Sequence, residues 1–351
     1  MIRELRLSNY RSFEDYTLSN LARVNLLVGP NNSGKTTVLE AVELLVSGGD
    51  PRVVFGAASR RDEVASSYDR DSRTEYQLSH HFFGHRVGPG AELRVSSDRA
   101  SALGPVSMAV GEPDQSDLFG AQGELEQLLV VRVGLGDAET ASTPTRADGS
   151  TIFPWQRRPV RRSAAHLVPS QLISADSLSP RAMTGMWRNV VVNGKLREAV
   201  KALRILEPDL AEIHFLPDRT HPSFALGLRS GSPVPLGSYG DGMRRLLALA
   251  VSLAETAGGY LLIDEIDTGL HWTVMDSMWK LVIEAAVASS VQVFATTHSF
   301  DCVRGLAGQL RAHPQLRKHV TAQKIERRLP HSVDFPAEDL VTADEFDIEF
   351  R

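Results

Sequence analysis

The sequence predicts an α/β fold in which a mixed, mainly parallel core sheet carries an antiparallel β-subdomain and a helical inserted lobe. Two observations lead there. The last third alternates helix and strand patterns, with helix 241–257, strand 260–264, helix 272–288 and strand 291–296, the order of a doubly wound sheet. Near the N-terminus a continuous apolar run, Val24–Val28, ends in a Gly-Pro-Asn-Asn turn and passes into a helical pattern. That is how a strand covered on both faces reads. Core strands at both ends of the chain make the middle an insertion.

Composition sets the outer bounds. The chain has 351 residues, 42% hydrophobic and 23% charged, enough apolar material for a large core and too much for wholesale disorder. A net charge of −5 excludes a protein that is basic all over, so any nucleic-acid contact would come from a local patch. The single Cys302 cannot close an internal disulfide, as expected in a reducing cytoplasm. No apolar stretch approaches the roughly 20 residues of a membrane span, and Met1 leads into Arg3, Glu4 and Arg6 rather than a signal-type apolar region. The expected location is cytoplasmic.

In chain order, Ile2, Leu5 and Leu7, then Tyr10 and Phe13, alternate with polar residues as in a half-buried strand of a mixed sheet. After Val24–Val28, the helix 36–46 shows an apolar face through Val38, Ala41, Val42 and Leu45. Residues 47–70 give no clear period. Short alternating runs at 75–83, 92–96 and 127–133 suggest a small antiparallel β-subdomain, and 137–149 reads as a polar loop. Helical patterning covers 176–206, and strands are expected at 213–216 and 224–228. The expected organisation is residues 1–150 as the N-terminal part of the core with its β-subdomain, and 151–232 as an inserted, mainly helical lobe. Residues 233–330 form the C-terminal part of the core, and 331–351 an acidic tail.

Three segments carry chemistry. Gly29-Pro30-Asn31-Asn32-Ser33-Gly34-Lys35-Thr36 matches G-x-x-x-x-G-K-[ST] in full, between an expected strand and an expected helix, the context the motif requires. Backbone N–H groups of the turn and of the helix N-terminus surround phosphates. Lys35 neutralises β/γ oxygens and the Thr36 hydroxyl ligates Mg²⁺. Asn31, Asn32, Ser33, Gly34 and Thr37 belong to the same cradle. Second, Tyr260–Ile263 ends in Asp264-Glu265. Alone, such a pair is common at strand–loop junctions. Beside a phosphate loop, Asp264 suits the Mg²⁺ shell, and Glu265 suits polarising an attacking water. Third, the run 291–295 ends in Thr296-Thr297-His298-Ser299, which places an imidazole beyond the C-terminal end of a core strand, where ligands of such sheets bind.

With Asp267-Thr268-Gly269-Leu270-His271 after the Asp-Glu pair, these segments resemble ABC-type ATPase heads of the SMC/RecF/OLD group, a branch of the P-loop NTPases. Asn9-Tyr10-Arg11-Ser12-Phe13 is similar to that group's opening motif, and Pro235-Leu236-Gly237-Ser238-Tyr239-Gly240-Asp241-Gly242 to its degenerate signature sequence. The combination LLIDEIDTGLH and QVFATTHS looks most like single-domain OLD-like AAA-family ATPases without a Toprim domain. The motifs span 9–299, and 50–230 matches only loosely.

The resemblance implies a dimer with ATP sandwiched between Lys35, Thr36, Asp264, Glu265 and His298 of one head and Ser238, Gly240 and Gly242 of the other. It also places Arg11 and Ser12 near the nucleotide's base or α-phosphate. The other reading of Ser238–Gly242 is an ordinary helix cap with turn glycines, and that of Arg11 and Ser12 a surface turn. For the glutamine of ABC heads, Gln171 and Gln77 compete.

The sequence also departs from its group. No sustained heptads appear in 150–230, against a long coiled-coil tether. The stretch after His298 is too short for a Toprim nuclease domain, so nuclease chemistry within the chain is not expected. The acidic run 334–349 reads as a solvated face or contact arm. Arg157, Arg158, Arg161 and Arg162 would neutralise DNA or RNA phosphates, or form a solvated loop or a partner's docking site. The expectation is an ATP-hydrolysing switch that dimerises around ATP with Mg²⁺ and controls a separately encoded, nuclease-like effector in prokaryotic DNA processing or antiphage defence. The rival is a scaffold or sensor that binds ATP without needing turnover.

Overall fold

The computed structural model describes residues 1–65, 75–98, 103–113, 128–151, 156–157, 168–176, 178–217, 222–229, 231–346 and 348. The chain begins β1 (Leu5–Tyr10), β2 (Phe13–Leu18), β3 (Val24–Val28), α1 (Lys35–Val46), α2 (Pro51–Arg60). Short strands follow: β4 (Val64–Ala65), β5 (Glu75–Gln77), β6 (Glu92–Ser97), β7 (Val106–Gly111), β8 (Leu128–Leu135), β9 (Ala138–Arg146), β10 (Ser150–Thr151), β11 (Gln156–Arg157). Then come β12 (Ser170–Ile173), α3 (Pro180–Val192), α4 (Leu196–Leu203), β13 (Leu210–Leu216), β14 (Ser223–Leu228), β15 (Val234–Pro235), α5 (Asp241–Glu255). The chain closes with β16 (Tyr260–Ile263), α6 (Met275–Ala288), β17 (Gln292–Thr296), α7 (Phe300–Ala312), β18 (Val320–Lys324), β19 (Val333–Pro336) and α8 (Ala337–Glu345). Among the described residues no helix is long and apolar enough to cross a membrane.

The chain folds as two compact units. The second (Leu21–Lys35, Val168–Ile325, Val333–Arg351) holds a six-stranded sheet ordered β12-β16-β17-β3-β18-β19. Its first five strands run parallel and β19 pairs antiparallel to β18, the mixed core that the sequence predicts. β3, β16 and β17 are buried along their whole length, as continuous apolar runs require when both faces are covered. α5, α6 and α7 pack their apolar stripes into the same core, where Trp279 is fully buried and its Nε1 donates to the Cys302 carbonyl at 2.9 Å. α3, α4 and the β13–β14 hairpin belong to this unit as well. The segment 151–232 is therefore not a separate helical lobe: β12 is an edge strand of the core sheet. The segment 331–351, expected to be an acidic tail, supplies β19 and α8. Asp344 of α8 is almost buried between Arg304 (3.3 Å) and Arg311 (2.8 Å) of α7, so this part of the acidic run holds an element in place. Asp347 and Glu349 lie outside the described residues.

The first unit (Met1–Asn20, Thr36–Leu167, Glu326–Ser332) is built on a seven-stranded antiparallel sheet, β11-β9-β8-β7-β6-β1-β2. The N-terminal strands, expected in a mixed sheet, join this one instead. Two local expectations also change. Residues 137–149 are not a loop: β9 pairs with β8 from Ala138 to Arg146. Thr143, Thr145 and Thr151 are buried, and the Thr151 hydroxyl donates to the Pro144 carbonyl at 2.8 Å. Threonine is a β-branched strand former whose polarity disguises it. Residues 51–60, which show no period, form α2, started by Asp50, whose carboxylate accepts from the Arg52 N–H at 2.9 Å, and by Pro51 in the first turn.

The opening motif is corrected too. Arg11 and Ser12 form the β1–β2 turn, and the Arg11 side chain is buried. Its Nε lies 2.9 Å from Glu40 and its Nη1 2.7 Å from Glu63. Glu40, also buried, is bridged from its other oxygen by Arg61 at 2.8 Å. His81 lies beside them, and burial, then Arg11, hold its imidazole well below the usual range and hence neutral. The Arg11 guanidinium is thus paired inside this unit with carboxylates. Removing one partner of a buried ion pair strands the other charge, at a cost of about 3–5 kcal/mol. Arg11→Met should lower the stability of the nucleotide-free protein by about that much in urea unfolding. Undiminished stability together with lost ATP binding would restore the nucleotide-contact reading.

Candidate functional site

The parallel register sets the site. Ile263 pairs with Ala295, and Thr296 with Leu27, so β16, β17 and β3 end side by side. Gly29, Asp264 and Thr297-His298 therefore leave the same sheet edge, the carboxyl end where ligands of open α/β sheets bind.

The loop after β3 is shaped by backbone constraints. Gly29 has φ +142°, and a Cβ there would sit 2.8 Å from the Ile325 carbonyl and 3.0 Å from Ser33 Oγ, so only glycine fits. Asn32 at φ +61° and Gly34 at φ +104° are left-handed, the backbone conformation from which anion-binding turns are built. Lys35 opens α1, and its Nζ donates back to the carbonyls of Gly29 (2.7 Å) and Pro30 (2.9 Å). Burial pulls its ammonium below the usual lysine range while Asp264 and Glu265 pull it upward, which ties the lysine electrostatically to the carboxylate pair. Ser33 Oγ is buried with no hydrogen-bond partner among the described residues. An unsatisfied hydroxyl in such a loop is the kind of group a phosphate-bearing ligand completes. Asn31 and Asn32 are exposed. The Thr37 hydroxyl is buried and accepts from Arg61 Nη2 at 3.3 Å, which leaves its backbone N–H as its contribution to the loop.

The other two strand ends are cross-linked. Thr296 Oγ1 donates to Asp264 Oδ1 at 2.6 Å and accepts from the Glu265 N–H at 2.8 Å. Thr297 Oγ1 donates to Asp267 Oδ1 at 2.6 Å. Glu265 adopts φ +48°, a conformation uncommon for glutamate that marks strain held by its surroundings. His298 Nδ1 lies 3.6 Å from Glu265 Oε1, and Thr268 Oγ1 donates to Oε2 at 3.3 Å. The carboxylate and imidazole expected to act together thus face each other, half exposed. The two threonines were missed in the sequence reading, although a Thr-Thr pair closing an otherwise apolar strand is a readable signal.

The Ser238–Gly242 turn is not an ordinary cap. Ser238 lies in a short 3-10 turn (Leu236–Tyr239), and the N-cap of α5 is Gly240, at φ +83°, with no side-chain cap bond. Ser238, Gly240 and Asp241 are exposed. A Cβ on Gly242 would come within 2.8 Å of the Gly269 carbonyl, so this turn abuts the loop that follows the Asp264-Glu265 pair. Of the two glutamine candidates, Gln171 lies on β12 and donates to the Leu172 carbonyl (2.7 Å), whereas Gln77 lies on β5 in the first unit and donates to the Asp148 carbonyl (2.8 Å). Of the basic cluster only the backbone of Arg157, in β11, is described. Arg158, Arg161 and Arg162 lie outside the described residues.

The donor set suits a nucleoside triphosphate with a hard cation. Mg²⁺ takes oxygen ligands, commonly one or two from protein with the rest from phosphates and water, and the Asp264 carboxylate and Thr36 hydroxyl are of that kind. Lys35→Ala should weaken ATP binding about tenfold or more, since hydrogen bonds to charged groups contribute about 1.5–3 kcal/mol. Equilibrium titration with a fluorescent ATP analogue measures this, and an unchanged affinity would remove the phosphate-loop assignment.

Comparison with known proteins agrees with the fold. Residues 123–301 match the family described as "AAA domain, putative AbiEii toxin, Type IV TA system", and residues 1–87 match an "AAA ATPase domain". An ATP/GTP phosphatase of Helicobacter pylori is 20% identical over 332 residues, covering 86% of each chain. The DNA replication and repair protein RecF of Limosilactobacillus fermentum is 24% identical, covering 90% of this chain and 96% of its own. Among solved structures, an SMC head bound to the C-terminal winged-helix domain of ScpA superposes with a TM-score of 0.53 at 14% identity, covering 96% of this chain and 98% of that one. The SMC head of Pyrococcus furiosus bound to the ScpA C-terminal domain gives 0.52 at 12%, covering 99% of each. The fold is that of the SMC-head ABC-type ATPases. With the first match spanning just over half of its length, the chain belongs to that AAA domain family of ATPases.

Proposed function

We propose that this chain is an ATP-driven switch of the ABC type: it binds ATP with Mg²⁺ at the β3–β16–β17 edge, closes on a second copy of itself, and hydrolyses the nucleotide to reopen. The observation that carries the reading is the juxtaposition at that edge of the left-handed loop with Lys35, a cross-linked Asp264-Glu265 pair, and His298 facing Glu265 at 3.6 Å.

In this reading, Gly29–Thr36 wraps the phosphates and Lys35 exchanges its loop carbonyls for β/γ oxygens. Asp264 and the Thr36 hydroxyl would hold Mg²⁺, which when bound offsets the charge of the phosphate oxygens. Glu265 accepts a hydrogen bond from a water aligned with the γ-phosphorus. As the water oxygen bonds to phosphorus, the bond to the β–γ bridging oxygen breaks, ADP leaves, and the water's proton passes through Glu265 to phosphate or solvent. His298, paired with Glu265, contacts the γ-phosphate and couples the base to its presence.

The exposed, side-chain-free cap at Gly240, with Ser238 beside it, offers N–H groups and a helix dipole to a phosphate. A second copy's nucleotide supplies one, and a C₂ dimer then has two equivalent sites. Closure would act on a separate effector. The matched SMC head bound to ScpA is a precedent for a head that works through another protein. The likeness to RecF proteins and to a family that includes a putative type IV toxin favours a setting in prokaryotic DNA processing or antiphage defence, with a nuclease-like effector and contact with DNA or RNA as its specific form. The OLD-like character of the motifs points the same way, and the cytoplasm is the compartment that fits.

Two experiments test the reading. Glu265→Gln should retain ATP affinity and lose steady-state turnover; wild-type turnover would assign the base elsewhere. Ser238→Arg and Lys35→Ala should each abolish the ATPase. Mixing them forms heterodimers with one doubly lesioned and one intact site, recovering up to roughly a quarter of the activity for random exchange. Failure of every mixing ratio to recover activity, with heterodimers demonstrated, would contradict the shared site.

A further inference from the structure

The helix α5 carries one buried cation that the site as described does not use. Arg245 is 1% exposed. Its donors go to backbone carbonyls rather than to a carboxylate: Nη1 donates to Ser174 at 2.7 Å, and Nη2 to Asp264 at 2.6 Å and Glu265 at 2.7 Å. Ser174 follows β12, and Asp264-Glu265 follow β16. One planar guanidinium therefore gathers the ends of two neighbouring parallel strands, a task suited to its fixed fork of donors.

Such a placement is costly. Burial pulls the guanidinium down to about 10, against the attraction of Asp267, Asp264 and Glu265. Nε is buried with no hydrogen-bond partner among the described residues. A leucine there would extend the apolar face formed by Met243, Leu246 and Leu247, so core packing alone does not account for an arginine. What it holds is informative. Glu265 is a non-glycine residue at φ +48°, and both its backbone groups are taken: the N–H by Thr296 Oγ1, and the carbonyl by Arg245 at 2.7 Å and by the Thr268 N–H at 3.0 Å. Clamping both peptide groups around a strained Cα fixes the direction in which its side chain leaves.

We propose that Arg245 is a positioning residue for Glu265: by donating from one guanidinium to the strand-end carbonyls, it holds residue 265 in its left-handed conformation and aims the carboxylate at the attacking water. It acts through the backbone and touches neither nucleotide nor water. The inference rests on Glu265 being the residue that polarises that water.

The test separates turnover from binding. Arg245→Met keeps the chain length and removes the donors. It should lower kcat roughly a hundredfold, the scale of a misplacement of about 1 Å, while the Kd for ATP, set by the Lys35 loop, stays within about twofold. Arg245→Lys, whose ammonium reaches some of the same carbonyls, should recover part of kcat. In nucleotide-free protein, hydrogen exchange of the peptide 260–270 should accelerate in Arg245→Met, because the Asp264 and Glu265 carbonyls lose their donor and the loop opens more often. This last readout does not depend on ATP: if wild type hydrolyses no ATP yet exchange at 260–270 still depends on Arg245, the clamp stands and the ATPase reading falls. If Arg245→Met does not fold, the lysine variant decides, with a lowered kcat at unchanged Kd supporting the proposal. Folded Arg245→Met with wild-type kcat and exchange would overturn it, as would a lysine variant in which kcat and ATP affinity fall together.

Discussion

Everything functional in this chain depends on the parallel pairing of three strands in one register. A parallel ladder fixes which residues end level with one another, and a shift of one residue would turn every side chain to the opposite face. With Ile263 beside Ala295 and Thr296 beside Leu27, three loops from distant parts of the sequence leave the sheet at one edge. The fully buried apolar runs that build the strands leave little freedom to slip, because both faces are packed. The chemistry at the edge is thereby anchored to the most rigid part of the molecule.

Around that edge the protein spends polar groups in a consistent way. Side chains that would react with a nucleotide are half exposed, and those that hold them are buried. Thr296 and Thr297 tie two acidic side chains of one loop to the strand beside it, and Arg245 draws the carbonyls of another junction together. The strain at Glu265 persists because three neighbours hold its backbone, consistent with strain concentrating where geometry must be exact to fractions of an ångström. The first unit shows the opposite use of charge. Arg11, Glu40, Glu63 and Arg61 neutralise one another, which specifies how the opening turn packs on α1.

Much of the site was legible in the sequence because backbone geometry dictates residue type there. Gly29 and Gly34 stand where a Cβ or a negative φ is not allowed, Lys35 and Thr36 open a helix, and β16 and β17 announce their ends by an abrupt change from apolar to acidic or hydroxyl residues. What was not legible depends on partners distant in the chain. Nothing near Arg11 signals that Glu40, inside an otherwise apolar helix face, will meet it. Nothing near Arg245 signals that its partners are carbonyls, which every residue possesses. β9 is hard to read because its buried positions are small or polar residues, Thr143 and Thr145 among them, and α2 because its boundaries, not its period, identify it. The segment 151–232 looked separate because its helices read more strongly than β12, a four-residue strand that joins it to the core sheet.

The central claim is that this edge is half of a site which a second copy completes when ATP is bound. The most direct measurement is the sedimentation mass of the Glu265→Gln protein, which should hold ATP without consuming it, with and without ATP and Mg²⁺. The account predicts a shift from one chain to two on adding ATP, and loss of that shift when Ser238→Arg is added. A mass that is the same with and without ATP, at nucleotide concentrations shown to saturate the loop, would contradict it.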